Sequence, residues 1–195
     1  MNPCAFGTKD PLYLDYHDHC WGKPLYDSRA LFELLALESQ HAGLSWLTIL
    51  KKKEAYQQAF HHFDPHQIAQ MRDEDIDALM AFPNIVHHRP KLEAIVAQAK
   101  GYIQIEQDYD SFSSFLWSFV DGAPVDFKYQ SVEERITVND TAITLSKALK
   151  KYGFKFIGPV TTFSFMEAAG LYNSHLVSCP NRQTILDQSI SHTHQ

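Results

Sequence analysis

The chain has 195 residues, 45% of them hydrophobic and 21% charged, which suits one packed domain and excludes a disordered or low-complexity protein. No run approaches the roughly 18 consecutive apolar residues of a membrane span, and residues 1–9 lack the basic-then-apolar order of a secretory leader. Three cysteines, an odd number, argue against a disulfide framework and for a reducing cytoplasm, where thiols are buried, metal-bound or catalytic.

A net charge of −6 speaks against nucleic-acid binding when taken as a sum. Distribution matters more than the sum, and the basic residues cluster: Lys51 to Lys53; His87, His88, Arg89 and Lys91; then Lys147, Lys150, Lys151 and Lys155. Solvated helix faces explain each cluster equally well.

Hydrophobic periodicity is helical almost throughout. Ser28 is a candidate N-cap for a helix carrying Leu31, Leu34 and Leu35, and Ser45 for one carrying Trp46, Ile49 and Leu50. Asp64-Pro65 pairs a cap with a first-turn proline, and Asp73 opens a helix holding Ile76, Leu79 and Met80. After the break at Phe82-Pro83-Asn84, Leu92, Ile95, Val96, Ala99, Tyr102 and Ile103 form a long stripe. Phe112 to Phe119, Leu145 to Tyr152 with Gly153 as a stop, and a helix from Thr161 to Gly170 complete the series. Residues 121–140 read as a long connection, and Ile136 to Val138 are the sole ambiguous strand pattern.

Glu38 continues the stripe of Leu31, Leu34 and Leu35. A carboxylate on an apolar face is costly unless paired, hydrogen-bonded or protonated. It is half of a buried ion pair, part of a frayed last turn, or the lining of a pocket with a perturbed pKa or a cationic ligand. Phe6, Tyr13, Tyr16, Trp21 and Tyr26 crowd the N-terminal segment, with Trp46 further on. Such rings pack loop-rich cores, and they also stack on nucleobases and attract cationic ones. Cys4 and His17 near one end, with His175-x3-Cys179 near the other, make a complete tetrahedral zinc set, and the last pair has the spacing of one helical turn. On spacing alone His19 and Cys20 compete for the same role. Residues 73–101 read as helix, hairpin, helix, which is either an ordinary αα-hairpin or a phosphate-binding one.

Five runs carry a more specific signal: Asp10 to Asp18, Ala42-Gly-Leu-Ser-Trp-Leu-Thr-Ile-Leu-Lys-Lys, Phe115-Leu-Trp-Ser-Phe-Val, Leu145 to Gly158, and Ser164-Phe-Met-Glu-Ala-Ala-Gly-Leu. In this order they resemble the bacterial DNA-3-methyladenine glycosylase I family, over residues 4–180. The resemblance implies an all-α fold of the helix-hairpin-helix glycosylase class, in a single compact domain spanning 1–195. Its helical core would run from 28 to 170, with terminal segments 1–27 and 171–182 joined by zinc and a frayed tail over 183–195. One structural Zn2+ per chain is implied, on Cys4, His17, His175 and Cys179. A base pocket is implied at Tyr13, Tyr16, Trp21, Glu38 and Trp46, with Phe6 and Ser164 adjoining, and Gly43 and Leu44 at the tip that wedges the duplex.

The implied activity is base-excision repair: a flipped 3-methyladenine loses its N-glycosidic bond to water, leaving an abasic site. Glu38 would recognise the cationic base, with assistance to the attacking water a secondary role. Alkylated double-stranded DNA is the implied partner and free 3-methyladenine the product; a cytoplasmic monomer is expected, with no membrane contact. The chain departs from the family pattern at Phe6, where tryptophan is usual, at Phe163, where a tyrosine is common, and in a hairpin (Phe82 to Lys91) without glycine. Two rival readings stand beside this one. Phe6 and Phe163 leave room for a non-catalytic binder of damaged DNA, and His17-Asp18 for a helical metal-dependent phosphohydrolase.

Overall fold

The computed structural model describes Cys4 and residues 8–192, the side chains of 187–192 excepted. Eleven α-helices are present among the described residues, with two short strands. They are α1 (Pro11–His19), α2 (Ser28–His41), α3 (Trp46–Leu50), α4 (Lys53–Ala59), α5 (Pro65–Ile68) and α6 (Asp73–Leu79), then α7 (Arg89–Asp108), α8 (Phe112–Trp117), α9 (Asp140–Lys151), α10 (Pro159–Ala168) and α11 (Pro180–His192).

Short side chains fix most helix starts. The carboxylate of Asp27 accepts from Ala30 N, so α2 is capped one residue before the expected Ser28. Ser45 caps α3, Asp64 caps α5 ahead of Pro65, Ser111 caps α8 and Asn139 caps α9. Helix α1 was not anticipated, because its apolar residues follow no stripe. Its start nonetheless repeats the aspartate–proline signature, with Asp10 accepting from Leu12 N and Pro11 in the first turn.

The core forms where these helices bury their stripes. Phe32 of α2 meets Tyr102 of α7 and Phe112 of α8, with ring centroids 5.4 and 6.5 Å apart. Phe154, after α9, stacks on Phe112 at 6.1 Å. Helix α10 lies against α9 and α2, so Glu38 and Ser164 are carried by neighbouring helices.

Two strands of two residues, β1 (Val125–Asp126) and β2 (Tyr172–Asn173), pair in parallel with Val125 opposite Tyr172. They tie the 121–140 connection to the segment after α10, and no strand forms at Ile136 to Val138. The C-terminal tail differs from expectation: residues 183–192 continue α11, and Ile185 is fully buried, so this part is anchored. Residues 193–195 of that tail lie outside the described residues.

Candidate base-binding pocket and metal cluster

Helices α1, α2, α3 and α10 surround a cavity of 110 Å³ lined by Tyr13, Tyr16, Trp21, Glu38, His41, Trp46, Ser164 and Glu167. The structure thus brings together every expected base-contacting residue except Phe6, which lies outside the described residues. Tyr16 ties the aromatic wall together, its ring edge-on to Tyr13 at 6.2 Å and tilted against Trp46 at 5.7 Å.

Glu38 is 4% exposed, and its Oε2 accepts no hydrogen bond. His41 Nδ1 stands 3.5 Å from that oxygen, near enough for attraction but without the geometry of a hydrogen bond. Burial pushes the Glu38 carboxyl above the usual range, and His41 partly opposes this. The Trp46 N–H is also buried, leaning toward Tyr16 without closing a hydrogen bond. A buried polar atom left unpaired in a protein cavity is one a ligand can satisfy.

His41 and Glu167 were missed in the sequence. Both sit three residues beyond a nominated residue on the same helix, His41 after Glu38 and Glu167 after Ser164, and that spacing was the available signal. Burial raises the Glu167 carboxyl to about 7, with Glu38 adding to the rise and Arg135 opposing it. The pocket therefore holds two carboxyl groups that disfavour each other's ionisation and together favour a cation.

A larger cavity of 350 Å³ shares Tyr16 and Trp46 but includes neither Glu38 nor Ser164. Leu25, Leu34, Leu37 and Ile49 line it, and its carboxylate, Glu33, is held by Gln57 at 2.8 Å and Lys53 at 3.3 Å. Size notwithstanding, it lacks the Glu38 oxygen that marks the smaller pocket.

Cys4, His17, His175 and Cys179 are all buried, and one ligand atom from each lies within 4.8 Å of the other three. His175 and Cys179 do not share a helical turn; they meet across the irregular segment between β2 and α11. Cys179 Sγ is 3.4 Å from His175 Nδ1 and 3.9 Å from His17 Nε2. The opposite ring nitrogens are occupied: His17 Nδ1 meets Asp18 Oδ1 at 2.7 Å, and His175 Nε2 meets the Trp21 carbonyl at 3.1 Å. Such outer partners fix the ring orientation of metal-ligating histidines. No disulfide joins the cysteines, and burial raises the Cys4 thiol to about 11. Two thiols and two imidazoles gathered out of water fit a tetrahedral divalent ion. His19 and Cys20, the rival ligands, are exposed and outside the cluster.

The cluster also braces the pocket. Trp21 stacks on His17 at 5.8 Å and meets His175 edge-on at 4.6 Å, while its ring forms a pocket wall. Asp18 is accounted for as the partner of His17, and no further carboxylate joins the cluster among the described residues, which removes the support for a phosphohydrolase.

Gly43 and Leu44 occupy the turn between α2 and α3, where Gly43 adopts φ +80° and Leu44 is 38% exposed. The hairpin between α6 and α7 has no glycine, and Asn84 takes the left-handed position at φ +62°. Phe163 is 1% exposed and packs on Tyr172 at 5.2 Å, in the core and outside the pocket. Of the basic clusters, Lys91 is buried, while Lys51 pairs with Asp10 and Arg89 with Asp77 and Glu93 at the surface.

Residues 6–183 match the family model for methyladenine glycosylase. The chain is 46% identical over 179 residues to DNA-3-methyladenine glycosylase 1 of Escherichia coli (strain K12), covering 92% of this chain and 96% of that protein. It is 71% identical to the solved 3-methyladenine DNA glycosylase I of Staphylococcus aureus, with a TM-score of 0.92 over 93% of this chain and 97% of the other. A variant of 3-methyladenine DNA glycosylase I in complex with 3-methyladenine gives the same TM-score, 0.92, at 70% identity, over 93% of this chain and 98% of that one. With its pocket, its buried carboxylate and this extent of match, the chain belongs to the methyladenine glycosylase family.

Proposed function

We propose that this protein is a base-excision repair enzyme that hydrolyses the N-glycosidic bond of 3-methyladenine in alkylated duplex DNA, leaving an abasic site. The observation that carries the reading is the buried Oε2 of Glu38, without a hydrogen bond and with His41 Nδ1 at 3.5 Å, in a cavity walled by Tyr13, Tyr16, Trp21 and Trp46. Methylation at N3 places positive charge on the base. The electron-rich ring faces and the carboxylate attract that cation, and the exocyclic amine can donate to the vacant acceptor.

The leaving group needs little help. As the C1′–N9 bond breaks, its electron pair neutralises the cationic ring, so 3-methyladenine departs without being protonated. Water supplies the new C1′–O bond and loses a proton to solvent. The protein's share is to take the base out of the stack, hold it and favour its charge over that of ordinary adenine. Glu38 therefore acts first in recognition, and its help to the attacking water is secondary.

In this reading a helix-hairpin-helix element grips phosphate, and Leu44 enters the space the base vacates. Cys4, His17, His175 and Cys179 would hold one structural zinc, which when bound would neutralise the thiolates and fix the two terminal segments to each other. Asp18 and the Trp21 carbonyl orient the two histidines, and Trp21 transmits their placement to the pocket wall. The protein works as a monomer in the cytoplasm; no helix among the described residues is long and apolar enough to cross a membrane. The deciding experiment is chromatography of bases released from methylated duplex DNA. Release of 3-methyladenine is expected, and a folded, metal-loaded protein that binds the DNA but releases nothing would reduce it to a damage-binding protein.

A further inference from the structure

A buried polar network lies outside the pocket and joins the hairpin before α7 to the loop carrying Gly43 and Leu44. Lys91 is the third residue of α7 and is 8% exposed. A cation in the first turn of a helix opposes that helix's own dipole, and a buried ammonium is costly without acceptors. Lys91 finds its acceptors on a different helix. Its Nζ donates to the carbonyls of Gln40 at 2.8 Å and Ala42 at 2.6 Å, in the last turn and at the C-cap of α2. Carbonyls at a helix C-terminus have no donor within their own helix, and a cation there is favoured.

The link runs in both directions. Gln40 Nε2 donates to the Lys91 carbonyl at 2.9 Å, so each residue caps the other's backbone. The Tyr56 hydroxyl donates to Gln40 Oε1 at 3.3 Å and accepts from Val86 N, in the hairpin, at 3.2 Å. Lys52 Nζ adds a reach to the carbonyl of Asn84 at 3.3 Å. At the loop tip itself, Leu44 N donates to the His41 carbonyl at 2.7 Å, so the tip hangs from the last turn of α2 that Lys91 holds. Ala42, held by Lys91, lies two residues before the exposed Leu44.

We infer that Lys91, with Gln40 and Tyr56, is a positioning residue that sets the Leu44 loop at a fixed place relative to the hairpin, so that the two loops meet the duplex as one rigid frame. The inference rests on the glycosylase reading, in which Leu44 enters the duplex. A mere capping role would be read in stability alone. A positioning role is read in turnover on duplex DNA while the pocket itself still works.

The test is Lys91→Met, which keeps the length of the stem and removes the donors. Wild type and variant are compared for kcat and KM on methylated duplex, and for affinity for free 3-methyladenine followed by tryptophan fluorescence. The expected result is a tenfold or greater fall in kcat, KM within threefold, and free-base affinity within twofold of wild type. A folded variant with wild-type kcat, or one whose free-base affinity falls in parallel with kcat, overturns the inference. Should Lys91→Met not fold, Tyr56→Phe removes one oxygen of the same network; a threefold or greater loss of kcat with unchanged free-base affinity is expected, and unchanged kcat overturns the inference. A wild type that releases no base sinks the glycosylase reading itself, an outcome separate from an active wild type matched by an equally active Lys91→Met.

Discussion

Glu38→Gln separates the pocket's recognition of charge from the pocket's contribution to the fold. The amide keeps the shape of the carboxyl and removes its ability to carry charge. A hydrogen bond to a charged group contributes about 1.5–3 kcal/mol, so losing it in the transition state lowers kcat/KM on methylated DNA by about 10- to 200-fold. Stability moves the other way. Burial raises the Glu38 carboxyl above its ordinary value, so the folded chain holds that proton more tightly than the unfolded one does. The stability linked to it is present at low pH and is lost as pH rises from the ordinary carboxylate value toward the raised one. The amide has no such loss. Its thermal midpoint should equal wild type near pH 4 and match or exceed it at pH 8, while single-turnover base release falls. A variant with wild-type kcat/KM would refute the role of the carboxylate. A variant with a lowered midpoint at pH 8 would refute the argument that the charge is strained by burial.

Further expectations follow from the same geometry. Glu167→Gln should gain stability on the alkaline side: with the carboxyl raised to about 7, the penalty develops between its ordinary value and that pH, to at most about 3 kcal/mol, and thermal scans at pH 5 and pH 8 measure it. Chelation, or Cys179→Ala, should lower the thermal midpoint before any loss of specific activity in the fraction still folded, and metal analysis should find one zinc per chain. Gly101→Ala, ordinarily stabilising inside a helix by about 1 kcal/mol, should destabilise here, because the added Cβ would overlap the Tyr152 carbonyl oxygen and the Phe154 ring; chemical denaturation should show a loss of about 1–3 kcal/mol. Leu44→Ala should change stability by no more than about 0.5 kcal/mol yet slow base release from duplex DNA, as stopped time courses would show.

Much of the helical frame was legible in the sequence, because a buried helix must repeat its apolar residues every three or four positions and a capped start needs a short polar side chain. The stripe of Leu31 and Leu35 located α2 and singled out Glu38 as a carboxylate in an apolar place. Helix α1 escaped that logic because its residues serve a pocket and a metal cluster, with His17 buried and Tyr13 and Tyr16 on the cavity wall, so no uniform stripe survives. The four Cys and His residues could be nominated from their chemistry, but no local rule separates Cys4 from Cys20, or His17 from His19.

Only the tertiary structure decided those choices. Proximity across 162 residues, as between His17 and Cys179, is a property of helix packing and not of neighbouring sequence. The same holds for Lys91, which the sequence left in a basic cluster, either facing nucleic acid or solvated, and which the fold turns inward to the end of α2. His41 and Glu167 join the pocket for the same reason: the sequence sets which face of a helix a residue occupies, and packing determines what that face meets.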